Sequence, residues 1–206
     1  EEIEQETATV TPASPEKDAT KLYLSEIGAA KLLTSEEEIY YAIGKALQLD
    51  PNNGDIYPIA TDIAIAFGDR EQALRFASTG ATLYPNFALP RAQLGTIATL
   101  DAKMFLDVNM PDKAKRRSRE AIDSLERSLL MFWNNNKISL QVAQMDLAKG
   151  YILYAKAEEQ LGAFDKAYAS YTHLLEIQPS HPEGTEDFKA FQKRMEGRRE
   201  SPFPKE

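Results

Sequence analysis

From residue 43 onward the apolar positions recur as a phrase rather than as scattered runs. KALQLDPNN and GATLYPNF close on Pro51 and Pro85, which stand 34 residues apart, the length of one helix–turn–helix unit in a stacked array. With that proline as the thirty-second position of a unit, Tyr57 falls at the site for a large aromatic and Gly68 at the inter-helix turn. Ala60 and Ala73 fall where two helices touch and only a small side chain fits. Gly80 stands where alanine is usual, which keeps the site small and weakens the helix by about 1 kcal/mol. A second unit opens with Leu94-Gly95, but its small residue, Ala121, comes about fourteen residues late. MFLDVNMPDKAKRRSRE therefore reads as an insertion, with Pro111 starting a helix after a polar turn and a second helix running through AIDSLERSLLMFW. A third unit places Tyr151 and Tyr171 at aromatic sites, Gly162 at the turn, Ala167 at the small site and Pro179 at the end. Glu158 departs from that pattern, standing where an aromatic is usual, which leaves the packing of its helix in question. After His181-Pro182-Glu183, GTEDFKAFQKRMEGRR predicts a polar capping helix, because the last unit of an array has no neighbour to cover its apolar face. The periodicity predicts an all-α solenoid over residues 43–182, capped by 183–199 and followed by a short tail, 200–206.

Ahead of the repeats the pattern changes twice. Residues 1–17, EEIEQETATVTPASPEK, carry too few branched aliphatics to offset the entropy of ordering them, and read as a disordered acidic arm. From Asp18, Leu22, Leu24 and Ile27 lie near one face of a short helix that Gly28 ends. Thr34 or Ser35, followed by Glu36, Glu37 and Glu38, reads as an N-cap with acids on the positive end of a second helix. Ile39, Tyr40, Ile43 and Leu47 on that helix also suit the second helix of a first repeat, so the segment can serve as an N-terminal cap.

Charge sharpens the division. The net charge is −8, and residues 1–42 hold ten acids and three bases, leaving 22 acids and 21 bases for the rest. A general nucleic-acid-binding surface is therefore not expected. Two basic clusters, Lys113 to Arg119 and Lys189 to Arg199, are interleaved with acids and read as solvated helix faces. The 206 residues include no Cys, which excludes disulfides, thiolate nucleophiles and thiolate metal sites. A chain opening at Glu1 without an apolar leader reads as a fragment or a processed form. No apolar run reaches the roughly 18 residues of a membrane span.

Chemistry has few candidates. His173 and His181 are the only histidines and neither lies in an HExxH spacing, so both are assigned structural or solvent-facing roles. Glu36, Glu37 and Glu38 point about 100 degrees apart around a helix and make a poor metal cluster. No glycine-rich phosphate loop is present. Tyr40, Tyr41, Tyr57, Tyr84, Phe87 and Trp133 follow the repeat spacing and are expected in the core rather than stacked on bases. Asn134 to Asn136 read as a helix-ending loop. No catalytic residue, metal or cofactor is expected, and the chain is not read as an enzyme.

Two resemblances add to this. Asp18, Tyr23-Leu24, Glu26-Ile27-Gly28, Leu32-Leu33-Thr34 and Glu36-Glu37-Glu38 meet every fixed position of D-x-x-x-x-Y-L-x-E-I-G-x-x-x-L-L-T-x-E-E-E, and residues 18–42 resemble the first conserved region of bacterial primary and stationary-phase sigma factors. The resemblance implies a segment that lies beside promoter DNA and packs on the rest of a sigma domain. It ends near Ala42, before the basic domain that grips the polymerase, so a working sigma factor is excluded. Residues 38–182 resemble the tetratricopeptide repeat family. This second likeness implies a right-handed superhelix with a concave groove lined by the second, fifth, ninth, twelfth and thirteenth positions of each first helix. Carried over, those positions are Asp55, Pro58, Asp62, Ile65 and Ala66, then Leu89, Ala92, Thr96, Thr99 and Leu100, then Lys149, Ile152, Lys156, Glu159 and Gln160. Asp55, Asp62 and Thr96 do not supply the Lys and Asn clamp of the family's chaperone-tail binders.

The expected function is a non-enzymatic scaffold holding a peptide or helix of a protein partner in the groove. The alternative is a transcription-linked regulator whose sigma-like segment contacts RNA polymerase or a sigma-binding protein, and is therefore cytoplasmic. A third reading makes that segment an inert fusion relic.

Overall fold

In a computed structural model of the chain, residues 34–131 and 137–199 are described. Expectations for residues 1–33, including Asp18, Tyr23, Leu24, Glu26, Ile27, Gly28, Leu32 and Leu33, for Trp133 and the asparagines after it, and for the 200–206 tail lie outside them. Among the described residues there are eight helices and no strand: α1 Ser35–Leu49, α2 Ile56–Ala66, α3 Arg70–Leu83, α4 Ala88–Asp107, α5 Pro111–Met131, α6 Lys137–Gln160, α7 Phe164–Ile177 and α8 Pro182–Arg199. The chain divides into two units at residues 42 and 43. In the first unit, α1 starts on a reciprocal cap: the Glu37 N–H donates to Thr34 Oγ1 at 3.2 Å and the Thr34 N–H donates to Glu37 Oε2 at 2.8 Å. Thr34 rather than Ser35 is therefore the N-cap, with the acids on the positive helix end.

The second unit is an array of helix hairpins, α2–α3, α4–α5 and α6–α7, each packed on the next, with α8 on the last. All three hairpin turns have one geometry. The N–H groups of Gly68 and Asp69 bond back to Ile65 and Ala64, those of Asn109 and Met110 to Leu106 and Phe105, and those of Gly162 and Ala163 to Glu159 and Glu158. Such a turn needs a left-handed residue, and Gly68, Asn109 and Gly162 have φ of 73°, 55° and 76°.

The late small residue of the second unit has a simple cause. No separate element is inserted; α4 and α5 run 20 and 21 residues, against 11 and 14 for α2 and α3. Helix α5 does begin at Pro111, and Ala114 stands five residues after Asn109, as Ala73 does after Gly68 and Ala167 after Gly162. Ala121 follows one heptad later, and both alanines are fully buried. Seven residues are almost two turns, so a heptad on each arm lengthens the hairpin and leaves its buried face in place. At Gly95 the two arms are so close that a Cβ would overlap the Leu125 side chain.

Close approach also explains Gly80, whose added Cβ would meet Tyr57 Cβ at 3.0 Å and Pro90 at 3.3 Å. Tyr57 is buried and donates its hydroxyl to the Pro51 carbonyl at 2.8 Å. Not every repeat-spaced aromatic is core: Tyr41 and Phe87 are exposed. Helix α8 covers the last hairpin as a cap should, with Phe191 buried against Ala155, Ala167 and Tyr171.

Two acids in this interior hold the lengthened hairpin to its neighbours. Asp101 on α4 is buried and accepts Arg70 Nη2 at 2.6 Å and Arg117 Nε at 2.9 Å, from α3 and α5. Burial alone would raise its carboxyl, but the hydrogen bonds and charges of the two guanidiniums outweigh it and hold the group below its ordinary value. Glu158 on α6 is fully buried, with Lys115 Nζ 2.9 Å from its Oε1. An ion pair thus replaces the aromatic usual at that position. Lys115 and Arg117 accordingly leave the first basic cluster, which is not wholly a solvated face.

Candidate partner-binding groove

Of the fifteen residues expected to line the groove, seven line one cavity and eight stand outside its lining. On α2, Pro58 is buried and its carbonyl accepts Gln93 Nε2 at 2.8 Å, while Asp62 Oδ1 accepts the same amide at 2.6 Å. Burial raises the Asp62 carboxyl, opposed by that bond. Asp55 and Ala66 are exposed and Ile65 is half-buried. On α4, Leu89 is half-buried, Ala92 belongs to the core with Ala121 and Leu125, and Thr96 donates to Asp146 Oδ2 at 2.7 Å. These eight residues, carried over from the first two units, are not in the lining of the channel formed by the other seven.

The remaining seven come together. Thr99 and Leu100 on α4, and Lys149, Ile152, Lys156, Glu159 and Gln160 on α6, line a channel of 780 Å³. That volume lies within the range of about 300 to 1,000 Å³ usual for ligand pockets. Lys103, Leu106 and Asp107 join them from the two turns added to α4, Leu153 from α6, and Glu183, Arg194 and Arg198 from α8. The repeat positions alone miss these seven. Spacing along α4 would have found the first three, since residues four, seven and eight beyond Thr99 share its face. The α8 residues have no such signal, because nothing in the repeat says which side of the cap faces the channel.

Ion pairs fix α8 at the channel's end. Arg194 donates to both carboxylate oxygens of Glu159, at 2.7 and 2.8 Å, and Lys156 lies 2.7 Å from Asp187 Oδ2. The Glu159 bond raises the Arg194 guanidinium, which is charged in any case. Arg198 lies over the Phe164 ring at 4.2 Å, and Lys149 reaches Asp146 at 3.3 Å. Thr99 spends its hydroxyl proton on the Gly95 carbonyl, leaving Gln160 as the one side-chain amide in the lining. The floor is apolar, and its polar groups are almost all ions.

Elsewhere, His173 on α7 stacks edge-on against Tyr151, with ring centroids 5.1 Å apart. His181 Nδ1 accepts the Gly184 N–H at 3.0 Å and so opens α8 as its cap. Of the sigma-like residues, Thr34, Glu37 and Glu38 are described in α1 and its cap, and the Glu36 side chain is not. Among the described residues no group of three or more His, Asp and Glu comes together to hold a metal ion. No helix among them is long and apolar enough to cross a membrane.

The sigma-70 factor, region 1.2, family model matches residues 18–44. No curated protein matches the chain. Among solved structures the chain is similar to MamA, at 16% identity and a TM-score of 0.44, covering 83% of this chain and 100% of that one. It is similar to PilW, described as a widely conserved type IV pilus biogenesis factor, at 14% identity and 0.42, covering 93% and 81%. It is similar to yeast Tom70 at 17% identity and 0.28, covering 86% and 47%. All three are helical-repeat proteins of the tetratricopeptide type.

Proposed function

We propose that residues 43–199 form a non-enzymatic protein-binding scaffold that seats a peptide or helix of a partner in the channel between α4, α6 and α8. The observation that carries this reading is the channel itself, where seven residues expected at groove positions meet seven more from the lengthened arm and the cap around an apolar floor. Binding there needs no covalent chemistry, and the ions of the rim select by charge. The test is a lysate capture with the full chain and with Leu100→Asp. Leu100 is exposed, so the substitution should leave the melting temperature within about 2 °C, as surface changes do, and remove the captured partner. A partner retained by Leu100→Asp would move binding away from the channel.

The match of residues 18–44 to sigma region 1.2 favours a second reading. In it the N-terminal segment contacts RNA polymerase or a sigma-binding protein, and the scaffold brings a second partner to that complex. Replacing Tyr23 and Leu24 by Ala in the full chain tests this. Loss of polymerase subunits or sigma regulators from the capture supports it, and a capture containing neither in any form of the chain defeats it.

A further inference from the structure

We propose that the occupant of this channel is an acidic amphipathic helix, about three turns long, whose apolar face lies along α4 and α6. The inference rests on the channel being the binding site and names the partner's chemistry.

Three features point to it. The floor, Leu100, Leu106, Ile152 and Leu153, is apolar, and the apolar surface continues out of the channel along α4. Leu100, Met104 and Val108 follow one another at intervals of four residues and are 51%, 48% and 56% exposed. An apolar ridge of that kind receives anchors spaced i, i+4, i+7 on a partner helix. Its length fits: from Lys149 to Gln160, α6 offers about 16 Å at 1.5 Å per residue, which three turns of a second helix match.

The second feature is backbone chemistry. An extended peptide would bring unpaired N–H and C=O groups onto the floor, each needing a partner. Among the lining residues Gln160 is the one side chain that can pair both an N–H and a C=O, and the Thr99 proton is committed to Gly95. The remaining polar groups are ions of the rim, not part of the floor of leucines and isoleucine. A helix satisfies its own backbone and needs only side-chain contact.

The third is charge. Five bases, Lys103, Lys149, Lys156, Arg194 and Arg198, face three acids, Asp107, Glu159 and Glu183, in the lining, in a chain whose net charge is −8. Three of the bases are tied to carboxylates, Lys149 to Asp146, Lys156 to Asp187 and Arg194 to Glu159. Lys103 is exposed and, unlike Lys149, Lys156 and Arg194, is held by no ion pair, and Arg198 is held by none but lies over the Phe164 ring, so Lys103 is the lining cation most open to a partner's carboxylate. An anionic helix is drawn to this edge and a cationic one is turned away.

The experiment measures fluorescence anisotropy of three labelled peptides titrated with the full chain. One is a 14-residue helix with Leu on one face and Glu on its flanks. Another has every Glu replaced by Lys, and the last keeps the composition but carries two central prolines that bar a helix. The Glu peptide should bind, with affinity falling as salt rises, and the Lys and proline peptides should bind at least about tenfold more weakly, a difference of about 1.4 kcal/mol. Lys103→Glu and Met104→Asp should each weaken the Glu peptide about tenfold without moving the melting temperature, since both side chains are exposed. If the proline peptide binds as well as the Glu peptide, the occupant is extended and the inference falls while the channel stands. If no peptide binds although Leu100→Asp still removes the lysate partner, the inference falls in the same way. If the Glu peptide binds but Lys103→Glu, Met104→Asp and Leu100→Asp all leave it unchanged, the helix sits elsewhere and both readings fall.

Discussion

The hairpins α2–α3 and α4–α5 follow one packing rule with different means. In the short one, small residues line much of the contact: Ala60, Ala64, Ala73 and Ala77 are almost fully buried, and alanine lets backbones approach without burying a charge. The long one repeats this with Ala98, Ala102, Ala114 and Ala121, and then adds buried charge, Asp101 between two arginines and Lys115 against Glu158. Lengthening a hairpin by a heptad on each arm keeps its buried face, but on one side the extra turns stand beside a shorter hairpin, whose helices run 11 and 14 residues. Ion pairs rather than interdigitated apolar side chains join them there, and the same turns supply the outer wall of the channel.

The largest effect tests the shared rule. Ala73→Glu in the short hairpin and Ala121→Glu in the long one each bury an unpaired carboxylate between touching helices, at about 4 kcal/mol. The melting temperature should fall by about 10 °C in both, read by circular dichroism. A fall for Ala73→Glu alone would mean that the long hairpin is not packed as one of the repeats.

Next come the charges. Lys115→Met leaves Glu158 fully buried without its partner and should cost about 3 kcal/mol, whereas Lys115→Met with Glu158→Met replaces the pair by apolar groups and should recover most of it. A double variant no better than the single would mean that Glu158 is needed for a further contact. Tyr154 is the candidate, since burial and the neighbouring Glu158 carboxylate together raise its hydroxyl.

Asp101→Asn should cost less, about 2 kcal/mol, because Arg70 is half exposed and water can replace what it loses. Its pH dependence has a definite sign. The Asp101 carboxyl is held below its ordinary value in the folded chain, so its contribution is complete above about pH 4 and is lost as the pH falls through the folded value. Chemical denaturation at pH 7 and pH 3 should show wild type losing more stability than Asp101→Asn. Equal losses would remove Asp101 from the acid response.

These charges mark where the sequence stops being readable. Alanines, turn glycines and terminal prolines declare themselves because each position admits few residues: Gly68 and Gly162 have positive φ, and Ala73 and Ala167 have no room to grow. Asp101 and Glu158 look like any charge on a helix until the fold brings a partner from another hairpin, 31 residues away for Arg70 and Asp101. The channel is half legible for the same reason. Groove positions of the third unit and the end of the second line it, but Leu106 and Asp107 belong to a stretch that read as an insertion, Lys103 stands just ahead of it outside any groove position, and Arg194 and Arg198 belong to a helix read only as a cap.

The smallest prediction concerns the one place where the hairpins do the same thing with different residues. Asn109 holds φ of 55° where the other two turns use Gly68 and Gly162. Asparagine tolerates the left-handed region better than other side chains, while glycine enters it freely but loses more entropy on folding. For Asn109→Gly these terms oppose each other, and stability should change by no more than about 0.5 kcal/mol. Asn109→Ala meets the steric cost without that tolerance and should lose about 1 kcal/mol, as should Gly68→Ala and Gly162→Ala. Nothing stands within 4 Å of a Cβ added at Gly68 or Gly162, so backbone conformation alone sets the cost there. A loss at Asn109→Ala well above the glycine pair would show that the long hairpin's turn depends on the asparagine amide as well as on its φ.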